Sequence, residues 1–115
     1  MEKQPTWSSS EKSIARRIFD GALGRELDEI TAEARRRVER IKAPSELWDL
    51  EAFLTKRRKD VDRKYDYRYS QLPIVFAELL RQGRISEDDL HGLRDDKLGC
   101  VRWVLEESSD SKVRK

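Results

Sequence analysis

Apolar residues fall in a helical rhythm through the first third of the chain. Ile14, Ile18, Ala22, Leu27, Ile30, Ala34, Val38 and Ile41 recur at intervals of three, four and once five, with no proline among them. That spacing sets them on one side of a helix and predicts a long first helix over 10–42. Ser8, Ser9 and Ser10 offer alternative N-caps, since a serine hydroxyl accepts from the unpaired amides of a first turn. Gly21 and Gly24 each cost ~1 kcal/mol relative to alanine and mark its weakest stretch. A helix of this length reaches about 45 Å at 1.5 Å per residue. That is wider than a compact domain of this size, so part of it must project or pair.

Pro44 disfavours helix at Ala43, and the short connection there predicts an antiparallel hairpin. Leu47, Leu50, Phe53, Leu54, Val61 and Tyr65 then carry a second helical stripe. The stretch Lys64-Tyr65-Asp66-Tyr67-Arg68-Tyr69-Ser70-Gln71-Leu72-Pro73 alternates aromatic and polar residues, the period of a strand. Helical spacing runs into it unbroken and no partner strand is evident, so the second helix is extended over 45–70. On that reading Tyr65 and Tyr69 share a face, and Tyr67, roughly 200° round from Tyr65, shows an exposed ring. Ile74, Val75, Phe76, Leu79 and Leu80 predict a short buried helix with Pro73 in its first turn and Gly83 past its end. Ser86-Glu87-Asp88-Asp89 resembles a capping box, and Leu90, Leu93, Leu98, Val101 and Leu105 follow. The expected whole is a single all-α domain over 1–115. It comprises an elongated antiparallel helical hairpin, a small C-terminal helical head over 72–107, and flexible ends at 1–7 and 108–115.

Composition sharpens this picture. Of 115 residues, 42% are charged and 37% hydrophobic, little apolar mass for a self-sufficient core. A hairpin that completes its core with a second copy is the simple solution, and a homodimer is expected. Twenty-five basic and 23 acidic residues nearly cancel, so no global field draws nucleic acid. Arg35-Arg36-Arg37 and Lys56-Arg57-Arg58-Lys59 could touch phosphates, yet Glu33, Glu39, Asp60 and Asp62 lie within a turn of them. A small nucleic-acid-binding helical protein is therefore the weakest reading kept. The lone Cys100 forms no internal disulfide, and a reducing, cytoplasmic location is expected. No apolar run nears the ~20 residues of a membrane span. Catalysis lacks a motif: His91 reads as a surface residue, Cys100 as a small packed one, and the acids as solvated. No enzyme, metal site or cofactor is expected.

The informative segment is Leu47-Trp48-Asp49-Leu50-Glu51-Ala52-Phe53-Leu54. Leu47, Leu50, Phe53 and Leu54 suit a hairpin or dimer seam. Trp48 widens the apolar surface beyond what one helix covers, and Arg58 comes ten residues on. An aromatic anchor beside a bidentate donor suits a protein surface. The residues alone leave open whether that surface meets a second copy or an external partner.

The chain resembles a known family. Trp7-Ser8, Arg25-Glu26-Leu27-Asp28, Glu46-Leu47-Trp48-Asp49-Leu50, Phe53-Leu54, Lys56-Arg57-Arg58, Val61 to Ser70 and Phe76-Ala77-Glu78-Leu79-Leu80, taken in order, are similar to the fluorescence recovery protein family of cyanobacteria. The resemblance implies an all-helical homodimer with a hairpin and a head, and a non-enzymatic regulator. It implies binding to the photoactivated orange carotenoid protein at its C-terminal domain. It also implies faster reversion from the red to the orange form, an end to phycobilisome quenching, and work near the cytoplasmic face of thylakoid membranes. Trp48 and Arg58 match the family's tryptophan and basic residue at the dimer and partner surface, and Glu51 and Tyr67 complete the expected contact set. Where the family has an aspartate four residues after the tryptophan, this chain has Ala52. Its neighbour, a histidine in the family, is Glu51. That departure opens an alternative: the same dimeric fold serving a different protein client.

Overall fold

The structure, a computed structural model, describes residues 6–113, with side-chain surroundings described through Ser108. Four α-helices form: α1 (Ser9–Arg40), α2 (Glu46–Lys64), α3 (Leu72–Arg81) and α4 (Asp95–Val113), with a 3₁₀ turn at Glu87–Leu90 between the last two. No strand occurs among the described residues, as the periodicity predicts. Where one domain was expected, contacts divide the chain into two compact units. A head unit holds the chain through Ala22 and from Asp66 on, and a hairpin unit holds Leu23–Tyr65.

The head unit has a conventional core. Trp7, Ala15, Ile18, Phe19, Ala22, Leu72, Val75, Phe76, Ala77, Leu79, Ile85, Leu90, Leu93 and Val101 are buried in it. Of the three candidate caps Ser8 acts: its Oγ accepts from the Glu11 amide at 3.2 Å, and the Glu11 carboxylate accepts from the Ser8 amide at 3.0 Å. Trp7 corrects the expectation of a loose start over 1–7, because it is 7% exposed; residues 1–5 lie outside the described residues. α3 carries Pro73 in its first turn. It ends as predicted at Gly83, with φ +73° and hydrogen bonds from the Arg84 amide to the Leu79 carbonyl and from Gly83 to Leu80. This is a double closure of the last turn that favours glycine. Ile74, expected in the core, is 47% exposed, because it lies on the side of α3 away from Phe76 and Leu79. Ser86 and Asp89 form the reciprocal cap, and Gly92 turns the chain at φ +102°. α4 then runs on to Val113, past the expected end at 107; residues 114 and 115 lie outside the described residues.

The hairpin unit is built differently. Its helices run antiparallel, with Arg37 against Phe53 and Glu26 against Arg57 and Lys64. No apolar side chain of residues 23–65 is buried; the two buried residues are Glu26 and Lys64. At the turn, the Glu46 carboxylate accepts from the amides of Lys42 and Ala43 at 2.8 and 2.7 Å.

Helix α2 stops at Lys64, not at 70. Tyr65 leaves the helical region at φ −92°, ψ 77°, and the residues through Arg68 form neither helix nor strand. Tertiary contacts override the local spacing. The Lys64 ammonium and the Tyr65 hydroxyl are both drawn to Glu26. Beyond them, in the head unit, Tyr67 meets Phe19 edge-on at 4.9 Å and Tyr69 meets Trp7 at 5.5 Å. Past the helix end, the rings of Tyr67 and Tyr69 also pack against each other, 5.6 Å apart.

Candidate partner-binding face

In the hairpin unit, five large apolar side chains stand exposed: Leu27, Val38, Leu47, Trp48 and Leu54, at 46, 53, 49, 67 and 39%. Their placement follows from the side each helix turns inward. On α2 the inward residues are Leu50, Phe53, Arg57, Val61 and Lys64, with Glu46 and Asp60 also half-buried; on α1 of this unit they are Leu23, Glu26, Ile30, Ala34, Arg37 and, just past its end, Ile41, with Glu33 also half-buried. At 100° per residue, Leu47 and Leu54 lie roughly 80° round α2 from its inward side, and Leu27 and Val38 lie roughly 80° round α1 from its own. The two rotations have the same sense along the chain. Because the helices are antiparallel, both sets come to the same broad side of the hairpin. Glu51 and Arg58 belong to that side as well, two turns apart on α2. Both are exposed, and neither has an ion-pair partner among the described residues. Trp48 points almost directly away from α1, at the far edge of this apolar side.

The expected seam therefore divides. Leu50 and Phe53 face α1, with the Arg37 guanidinium 4.0 Å from the Phe53 ring centre, while Leu47 and Leu54 turn outward. Of the expected contact residues, Trp48, Glu51 and Arg58 are exposed on α2. Tyr67 corrects the expectation of a free ring: it lies in the head unit, half-buried, with Arg16 stacked 3.6 Å from its ring centre. Burial and the neighbouring Tyr69 hydroxyl raise the Tyr67 pKa above the usual phenol value. Its place depends on the early end of α2, which spacing did not reveal.

The basic clusters are engaged in part. Arg36 and Arg37 both bind Glu33, at 2.6 and 3.0 Å. Arg57 binds Glu26. Hydrogen bonding from Arg36 and Arg37 holds the Glu33 carboxyl below its usual pKa. His91 is exposed, and Cys100 is only half-buried rather than packed. No cluster able to hold a metal ion occurs among the described residues, and none of their helices is long and apolar enough to cross a membrane.

Two buried carboxylates organise the units, and spacing revealed neither as a hub. In the hairpin unit Glu26, fully buried, accepts from Arg57 at 2.9 Å, Lys64 at 3.0 Å and the Tyr65 hydroxyl at 2.8 Å. In the head unit Glu11 binds the buried Lys97 at 3.0 Å and accepts from the Arg94 amide at 2.9 Å. Lys97 also donates to the Thr6 carbonyl. Burial by itself raises the Glu11 pKa, but the amides of Ser8 and Arg94 and the Lys97 ammonium outweigh it and bring it to about 2. Ser8 three residues before Glu11 was a legible capping-box signal. For Glu26 the sequence carries no such sign.

Comparison with known proteins gives a consistent result. The family model described as photoprotection regulator fluorescence recovery protein matches residues 7–105. A curated relative, the fluorescence recovery protein of Synechocystis sp. PCC 6803, is 37% identical over 96 residues, covering 84% of this chain and 88% of its own length. The solved structure of the Fremyella diplosiphon fluorescence recovery protein matches at a TM-score of 0.80 and 36% identity, over 86% of this chain and 97% of its own. The Synechocystis structure matches at 0.82 and 34% identity, over 88% and 99%.

Proposed function

The chain belongs to the fluorescence recovery protein family of photoprotection regulators, and on that premise we propose that it is a homodimeric, non-enzymatic regulator of a photoactivated carotenoid protein. Its task is to hold the path back to the resting state better than it holds the open state. A factor accelerates a conformational return only by such differential binding. The client is the orange carotenoid protein, in its red form, and the outcome is release of quenching at the antenna.

One observation carries this reading: the hairpin unit has no buried apolar side chain of its own, while Leu27, Val38, Leu47 and Leu54 gather on one broad side. A second copy covers that side through a two-fold axis near Leu54. The same operation sets Glu51 of each copy opposite Arg58 of the other, the reciprocal pairing an isologous interface requires. Trp48 and Arg58, at the edge and on the side of this surface, carry the client contact, with Glu51 supplying acidity where Ala52 supplies none. The replacement at position 52 supports one second reading, in which the same dimer serves a different protein client.

Mixing the protein with photoactivated orange carotenoid protein and following the red-to-orange absorbance change in darkness tests the proposal. Acceleration that is lost in Trp48→Ala and Arg58→Glu is the expected result. A dimer that leaves the rate unchanged at large excess assigns the client role elsewhere.

A further inference from the structure

A cleft opens in the head unit where the end of α3, the 3₁₀ turn and the middle of α4 meet. Its volume is about 250 Å³. Leu80, Leu90, Leu98, Val101 and Leu105 form its apolar lining. Leu90 and Val101 are buried and the other three half-buried. No ring is among the apolar residues, so that lining is wholly aliphatic.

The polar lining comes from two elements. The turn supplies Glu87, Asp88 and His91, and α4 supplies Arg102; all four are exposed. The cap of the turn sorts its acids. Asp89 is engaged by the Ser86 amide at 2.8 Å, which leaves the carboxylates of Glu87 and Asp88 without an ion-pair partner among the described residues. Arg102 makes no ion pair there either, although Glu106 stands one turn on along α4. The cleft thus presents unengaged charge of both signs, acid from one element and guanidinium from another, about an aliphatic lining.

We propose that this cleft binds a free α-amino acid with an aliphatic side chain. Its carboxylate meets the Arg102 guanidinium, its ammonium meets the Glu87–Asp88 pair, and its side chain lies over the leucines. The inference does not rest on the role assigned to the hairpin. Three features select the ligand. The volume falls below the ~300–1,000 Å³ of sites for drug-sized molecules and suits a single residue. A guanidinium takes a carboxylate through two parallel hydrogen bonds. A bare ion would leave the aliphatic lining unused, and a plain hydrocarbon would leave both charges unused.

The test titrates L-leucine into the nitrogen-labelled full chain and follows its amide NMR spectrum. Glycine, N-acetyl-leucine and leucine amide are titrated alongside; the last two mimic the end residues of a peptide, each lacking one charge. The expected result is a saturable shift of the Leu90, His91, Val101 and Arg102 amides with leucine, while those of Leu47 and Leu54 in the hairpin unit stay in place. Each of the three analogues should bind about tenfold more weakly, the effect of losing one charge-assisted contact or the apolar one. Arg102→Gln should weaken leucine about tenfold and leave leucine amide unchanged. Glu87→Gln with Asp88→Asn should do the same for leucine and leave N-acetyl-leucine unchanged. No saturable shift up to the solubility of leucine, or leucine binding indifferent to these variants, would overturn the proposal. So would equal binding of glycine, or of either blocked form, which would give the cleft to a chain terminus.

Discussion

A carboxylate in an acid-rich chain looks alike whether it is solvated or buried, and Glu11 and Glu26 show what that conceals. Each is sequestered and each collects several donors. Glu11, with its pKa depressed to about 2, stabilises the fold in full above the pKa of the unfolded chain. That stabilisation is lost as pH falls through the range between the two values. Acid titration of unfolding free energy should therefore show a steeper decline below pH 5 in the natural chain than in Glu11→Gln, whose neutral amide has no proton to take up. Glu26→Ala removes the buried carboxylate that Arg57 and Lys64 share, and should cost about 3–5 kcal/mol, read as a lowered urea midpoint. At this scale the sequence was legible where periodicity governs, as with outward Trp48 and Arg58. It was opaque where a residue's role depends on partners distant in sequence, as Lys64 lies 38 positions from Glu26.

Among elements, α1 and α3 were readable because their stripes agree with signals at their ends: a serine cluster before α1, Pro73 and Gly83 about α3. The end of α2 was not, because nothing local breaks it. Lys64 and Tyr65 turn to Glu26, and the following rings pack in the head unit, a choice that only tertiary contacts make. The glycines separate in the same way. Gly92 holds φ +102°, and a Cβ there would lie 2.6 Å from Ile14 Cδ1, so Gly92→Ala should lower stability by about 1–3 kcal/mol. Gly99→Ala meets no obstacle and should raise stability by about 1 kcal/mol. Thermal unfolding of the two variants against the natural chain checks both signs.

For the molecule as a whole, composition already told that the chain is short of apolar mass, and the structure locates the deficit in the hairpin unit. The head unit accounts for every buried apolar residue described. A charge placed on the broad side should then act on assembly and spare the fold of the head. On the proposed pairing, the natural protein is expected to sediment as a pair at micromolar concentration and Leu54→Glu as a single chain, with Trp7 fluorescence still reporting a buried ring. Unchanged pairing in that variant would move the interface to another face. The proposed client is suggested by family resemblance alone, since no catalytic or metal motif in the sequence points to one.

The triple reception at Glu26 has a consequence for how this protein tolerates sequence drift. Any one of Arg57, Lys64 or Tyr65 can be exchanged while the other two still satisfy the carboxylate, but exchanging the carboxylate removes the acceptor that all three share. In a deep mutational scan scored on folding, the spokes should accept many replacements singly and few in combination, while the hub should accept almost none.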